Sequence, residues 1–295
     1  MTELTAEAGR LDAVVARLAG VPRADVQRAI EEGRILVEGQ RRPKSHRLIG
    51  GERIEADLSG PAPAEPEAGT VEILHEDEHL LVISKPAGLV VHPGAGRRSG
   101  TLVNRLLGMG IPLSSGSEPD RPGIVHRLDA GTSGALVIAK DDETHAALRE
   151  LFSRHEVDRR YLALVRGRVE DESFAVDAPL ARREGRTVVD AAAGVDARTE
   201  LSIRERHGRS TLLEARPRTG RTHQIRVHLS SIGHPVLGDR RYGGGGDDAT
   251  RLGLGRPFLH ALVIGFAHPA TGEWLEVHDP LPGDLSAALK RARTA

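Results

Sequence analysis

The chain has 295 residues, 39% of them hydrophobic, and its 41 Lys and Arg stand against 42 Asp and Glu, for a net charge of −1. That length and apolar content support two domains with substantial cores, while the absence of cysteine excludes disulfides, thiolate metal sites and cysteine nucleophiles. No apolar run approaches the roughly 20 residues that span a bilayer, and the acidic, polar start from Met1 to Arg10 lacks the pattern of a secretory signal, so a cytoplasmic protein with no membrane partner is expected.

In chain order, Leu11, Val14, Val15 and Leu18 recur at helical spacing. Val26 and Ile30 continue the pattern into a second helix, and Ile35-Leu36-Val37 reads as a short strand. Pro22 and Asp25 mark the start of the second helix and Gly33 its end. Arg34, Arg41, Arg42, Lys44 and Arg47 gather on the strand and the turn after it, opposed only by Glu38, and make a small basic face. Arg10-Leu11-Asp12, the segment from Arg28 to Gly39 and Gly51-Glu52-Arg53-Ile54 resemble the alpha-L RNA-binding domain of the type named after a small-subunit ribosomal protein. The likeness implies RNA contact through the two helices and the basic strand, with Arg34, Arg41 and Lys44 among the contacts.

Residues 61–69 are proline-rich and polar and are expected to form an extended, unpacked linker between a first domain, 1–60, and a second, 70–295. Apolar runs at 71–74, 80–83, 89–91, 135–139, 161–165, 211–215 and 259–266 read as strands, and stretches near 101–108, 143–153 and 222–231 as helices. The second domain is therefore α+β with a substantial sheet, and Gly243 to Gly246 is read as a flexible loop. Net charge alone argues against a nucleic-acid binder, but charge is segregated. Residues 203–226 hold seven Arg against Glu205 and Glu214, a pattern that can grip phosphate locally.

The segment from Gly123 to Gly134, Gly-Ile-Val-His-Arg-Leu-Asp-Ala-Gly-Thr-Ser-Gly, is the most informative one. A strand-like run leads into Asp129, Arg127 shares a face with it, and Gly131 and Gly134 allow a sharp turn and the close approach of a bulky ligand. An ionised Asp there can serve as nucleophile or base, whereas a plain turn cap is the alternative. Three other segments bear on it: the loop Ser84-Lys85-Pro86-Ala87-Gly88-Leu89-Val90-Val91-His92-Pro93-Gly94, which borders a site or joins two strands; the polar start of a strand carrying Tyr161, one of two tyrosines; and Arg218-Thr219-Gly220-Arg221-Thr222-His223-Gln224-Ile225-Arg226. In the last, Thr222 is the expected N-cap of a helix whose N-H groups face an anion, and Arg226 can reach inward to hold a buried carboxylate ionised. No His pair has zinc spacing and no Gly-x-Ser-x-Gly elbow occurs, so no metal and no serine triad are assigned.

Together, His126-Arg127-Leu128-Asp129, Tyr161, Gly220 to Arg226 and Gly238-Asp239-Arg240-Arg241-Tyr242-Gly243-Gly244 resemble the RluA/RluD family of pseudouridine synthases. The resemblance implies a mixed, largely antiparallel catalytic sheet of the pseudouridine synthase fold, no cofactor, and an RNA partner, large-subunit ribosomal RNA or its precursor particle; the separate RNA-binding arm favours a monomer. It carries over Asp129 as catalytic aspartate, Tyr161 as the active-site tyrosine that stacks on uracil and helps remove the C5 proton, Arg226 as the partner of the aspartate and Arg127 as the arginine replacing the extruded base. His126, Arg221, His223 and Gln224 are expected to bind substrate. One departure is Ala130-Gly131, where several members carry a charged pair. Two rival readings are an RNA-binding protein with a dead site, whose sign would be a lost Asp, Tyr or Arg, and an N-glycosidic hydrolase, which would bring several acids to the ribose.

Overall fold

The computed structural model describes residues 1–59, 63–93, 99–116 and 121–294. Within 1–59, helices Leu11–Ala19 and Arg23–Glu31 bury Leu11, Val14, Val15, Val26 and Ile30 against a sheet ordered Thr2–Thr5, Arg53–Ala56, Ile35–Val37, Gln40–Arg41. The two helices and the central strand match the sequence pattern. The added strands have four residues or fewer, too short to leave a period. Asp12 is fully buried and accepts from Arg10 Nε at 3.1 Å, Arg23 Nη2 at 2.9 Å and Gln27 Nε2 at 2.7 Å. Burial raises its pKa, but these bonds prevail and hold the carboxyl at about 2.

The expected linker is partly packed. Residues 60–62 lie outside the described residues, but Asn104 Nδ2 donates to Glu65 O at 2.7 Å and Glu67 N to Asn104 O at 2.9 Å. Glu65 O and Glu67 N thus find partners on the helix Leu102–Gly108, which overrides the unpacked reading at those residues.

Beyond it, nine strands form one sheet, ordered Ser173–Asp177, Arg198–Arg206, Ser210–Pro217, Asp158–Arg166, Leu259–Ala267, Ser133–Ala139, Leu80–Lys85, Glu72–Glu76, with Trp274–His278 also paired to Leu259–Ala267. The pairing is antiparallel except at one seam, where Ser133 and Gly134 lie parallel to His260 and Ala261. Ser133–Ala139 is buried on both faces, sending Leu136 and Ile138 into one core and Ala135, Val137 and Ala139 into another. The α+β class and the largely antiparallel sheet are as expected. The run 89–91 is not a strand, because Val90 and Val91 turn their carbonyls to the first amides of the helix Leu102–Gly108. Their place in the expected loop stands apart from Gly94, which lies outside the described residues.

Two glycine readings change. Gly134 serves the seam rather than a ligand: a Cβ there would sit 2.4 Å from both Ala261 N and Ala261 O. The run at 243–246 is no flexible loop. Gly238 N bonds Gly244 O and Gly244 N bonds Asp239 O, both at 2.8 Å, and a Cβ on Gly244 would lie 1.7 Å from Val236 O.

Two outcomes follow from these contacts. Gly134→Ala is expected to cost about 2 kcal/mol or more, seen as a lowered denaturant midpoint. Asp12→Asn is expected to cost on the order of 2 kcal/mol at neutral pH. Because the folded pKa of Asp12 is depressed, its stabilisation is present above about 3.8 and is lost as pH falls through about 2. Wild-type and Asp12→Asn stabilities, followed by urea unfolding, should therefore begin to converge as pH falls below about 3.8 and meet at pH about 2.

Candidate active site

Asp129 does not end a strand. Ile124 bridges Ile138 and the chain then leaves the sheet, because the amide of Val137 bonds the ring Nε2 of His126 at 3.1 Å instead of a backbone carbonyl. Asp129 lies on irregular backbone closed by Thr132 N on Asp129 O at 3.0 Å. Lys85, fully buried, clips the neighbouring loop to this turn by donating to Pro86 O at 2.8 Å, Leu89 O at 2.9 Å and Ala130 O at 3.5 Å. Burial brings this amine down to about 8, although the charge of Asp129 works the other way.

Arg226 joins two carboxylates. Its Nη1 donates to Asp129 Oδ2 at 3.0 Å, while Nε and Nη2 take both oxygens of Asp239 at 2.6 and 3.0 Å. Asp239 is 1% exposed and also accepts from the amides of Arg241 and Tyr242 at 3.1 and 3.3 Å. Burial works against the charge on Arg226, but the two acids more than offset it and the guanidinium is held above its usual value. Such bidentate geometry fixes the plane of the guanidinium and so the position of Nη1.

The expected N-cap at Thr222 is not the one observed. The helix Gln224–Ser231 starts after His223, whose backbone is left-handed at φ 58° and which makes no side-chain cap. Gln224 does that work from inside. Its Oε1 accepts from Thr219 Oγ1 at 2.6 Å and Arg221 N at 3.0 Å, and its Nε2 donates to Arg198 O and Thr199 Oγ1, both at 3.0 Å. With the turn held so, His223 places Nδ1 at 2.7 Å from the Tyr242 hydroxyl and Nε2 at 3.9 Å from Asp129 Oδ2. Burial lowers the pKa of His223, and Arg226 and Arg241 add to that against Asp129 and Asp239.

A cavity of about 100 Å³ opens among Asp129, Arg127, Tyr161, Arg159, His223 and Arg226. Tyr161 follows a register shift between Arg160 and Tyr161 in the pairing with Leu259–Ala267, a bulge that re-aims its side chain. Burial pushes its hydroxyl upward in pKa, so the phenol stays neutral. A carboxylate backed by a guanidinium, beside an apolar ring, can attack or deprotonate a flat ligand seated here.

The structure thus brings Asp129, Tyr161, Arg226, Arg127, Arg221, His223 and Gln224 to one cavity. His126 is not among its lining residues. Its ring stacks on Phe152 with centroids 4.5 Å apart, and burial drops its pKa to about 3, as suits a neutral acceptor for Val137 N. Arg34, Arg41 and Lys44 lie apart in residues 1–59. Arg34 is tied to Glu32 at 2.7 Å and to Asp57 O and Ser59 O at 2.6 Å, which makes it a strap of its own module rather than an open contact. Lys44 pairs with Glu31 at 2.9 Å. Lys85, Asp239 and Tyr242 lie in segments that the sequence singles out, the loop 84–94 and the motif 238–244, but the sequence alone assigns none of the three a role.

A family model for RNA pseudouridylate synthase matches residues 79–231, and one for the S4 domain matches residues 9–54. An uncharacterized RNA pseudouridine synthase of Mycobacterium bovis is 37% identical over 96% of this chain and 94% of its own length. Ribosomal large subunit pseudouridine synthase D of Nitrosomonas europaea is 42% identical over 96% of this chain and 84% of its own, and the protein of that name from Xanthomonas campestris is 40% identical over 96% and 89%. Among solved structures, human RNA pseudouridylate synthase domain containing 4 is 28% identical with a TM-score of 0.60, covering 75% of this chain and 93% of that one. The chain belongs to the RNA pseudouridylate synthase family, carries an S4 domain ahead of its catalytic part, and is an isomerase acting on RNA.

Proposed function

We propose that this enzyme converts specific uridines of large-subunit, 23S ribosomal RNA to pseudouridine, with Asp129 as the catalytic aspartate and the target nucleotide flipped from its stack. The observation that carries the reading is the Asp129 carboxylate held by Arg226 at the wall of a cavity that Tyr161 shares. The relatives named ribosomal large subunit pseudouridine synthase D support the choice of RNA. The reaction breaks the bond from N1 to ribose C1′, turns the uracil and joins C5 to the same carbon, which needs no oxidation and no cofactor. Asp129 acts at the ribose, as nucleophile on C1′ or as base toward a glycal-like intermediate. Flipping costs a few kcal/mol, and the exposed Arg127 at the cavity mouth fills the place the base leaves.

Residues 1–60 act as the RNA-gripping module, joined at 61–69 to the catalytic domain 70–295. No helix among the described residues is long and apolar enough to cross a membrane. A monomer working in the cytoplasm, on the ribosomal RNA or its precursor particle, fits this arrangement.

Asp129→Asn is expected to lower turnover by at least ~10³-fold while RNA affinity stays at the wild-type level; clear residual activity would refute the assignment. Asp239→Asn, which leaves Arg226 with one carboxylate, is expected to lower both kcat and thermal stability, read by single-turnover assay and calorimetry. Mapping pseudouridines in 23S RNA from cells with and without the gene should show sites that vanish with it, and an unchanged map would exclude this substrate.

A further inference from the structure

Pseudouridine formation moves one proton: the uridine loses its C5-H and gains an N1-H. Tyr161 shares the cavity, but a phenol offers a single proton-carrying atom, whereas an imidazole can take a proton on one nitrogen as it releases one from the other. His223 is better placed. It lines the cavity, its Nε2 lies 3.9 Å from Asp129 Oδ2, and a left-handed backbone at φ 58°, rare outside glycine, holds it there. Strain of this kind, on the order of 1–3 kcal/mol, persists where the surroundings impose it, and here Gln224 and Tyr242 do so.

We propose that His223 is a catalytic residue that hands a proton to the departing uracil and recovers the one released from C5, with Tyr242 as the relay behind it. The proposal rests on the reading of Asp129 given above. Nδ1 lies 2.7 Å from the Tyr242 hydroxyl and Nε2 faces the Asp129 carboxylate; a lone pair turned toward that charge would be repelled, so in the proposed resting state the proton sits on Nε2 and the Tyr242 hydroxyl donates to Nδ1. The charged groups around the ring are Asp129, Asp239, Arg226 and Arg241. Burial favours the neutral ring, which leaves His223 free to give and take a proton instead of locking onto Asp129 as a cation.

The steps balance. As the bond from C1′ to N1 breaks, its electron pair goes to the uracil, Nε2-H passes to N1, and the Tyr242 proton moves to Nδ1. The negative charge left on the phenol oxygen belongs to a ring that carries the guanidiniums of Arg186 and Arg226, with Cζ 4.9 and 5.0 Å from its centroid. After C5 bonds to C1′, the C5 proton passes to Nε2 and the Nδ1 proton returns to the Tyr242 oxygen. The ring regains its C5–C6 double bond, N1 keeps its proton, and the enzyme is restored.

The test uses the full-length enzyme with RNA carrying uridine or 5-deuterouridine at the target. Tyr242→Phe removes a single oxygen, and His223→Asn keeps a residue that tolerates left-handed backbone. Both are expected to lower kcat by ~10²–10⁴-fold with KM for RNA unchanged and with a larger deuterium effect than wild type, because C5 proton removal becomes slow. The double variant should be no worse than the poorer single one, since the two act in series. Wild-type kcat in either variant, or a loss of kcat with the deuterium effect unchanged, overturns the relay and leaves the pair a purely structural role. Asp129→Asn, run alongside, separates the two ideas: its retaining turnover sinks the catalytic aspartate itself, whereas an inactive Asp129→Asn beside fully active His223→Asn and Tyr242→Phe sinks the relay alone.

Discussion

A single guanidinium, that of Arg226, organises the catalytic half of this molecule. Burying an unpaired cation would cost several kcal/mol, so the fold must supply acids, and it supplies two from distant parts of the chain. Asp239 takes the fork in two bonds and is itself held by two backbone amides. Asp129 receives the remaining Nη1. This division matters, because the acid with all its bonds made is the structural one, and the acid with one bond and a face on the cavity is free to react.

The surrounding elements can be understood as means of holding that arrangement. The turn at 238–244 closes through glycine contacts that admit no side chain, and it delivers both Asp239 and Tyr242. The parallel seam at Ser133 and Gly134 fixes the strand that follows Asp129, while Lys85 Nζ and Gly88 N tie the preceding loop to the same turn through Ala130 O. His126 stands in for a backbone partner where the chain departs from the sheet. Rigid support of this kind is what keeps reacting groups within a fraction of an ångström of useful geometry.

Much of this was legible beforehand. Asp129 stands out beside a glycine turn, whereas Tyr161 and Arg226 take their roles from the resemblance to the pseudouridine synthases, and the structure brings all three to one cavity. Short-range signals did less well where the deciding partner was remote. Nothing local shows that His126 serves Val137 or that Arg34 serves Asp57, since both bonds depend on how the sheet closes. The start of the helix Gln224–Ser231 was misplaced for the same reason: Gln224 satisfies the turn through Arg198 and Thr199, 25 or more residues away. Glycines were read as freedom, whereas at Gly134 and Gly244 they mark the absence of room.

Lys85 has one further consequence. An acylating reagent needs an uncovered amine, and this one is sealed, its nitrogen bonded to carbonyls of the loop that covers it. Its labelling rate therefore counts how often that loop lifts away from the turn bearing Asp129, which gives the enzyme a built-in reporter of local opening that needs no added probe.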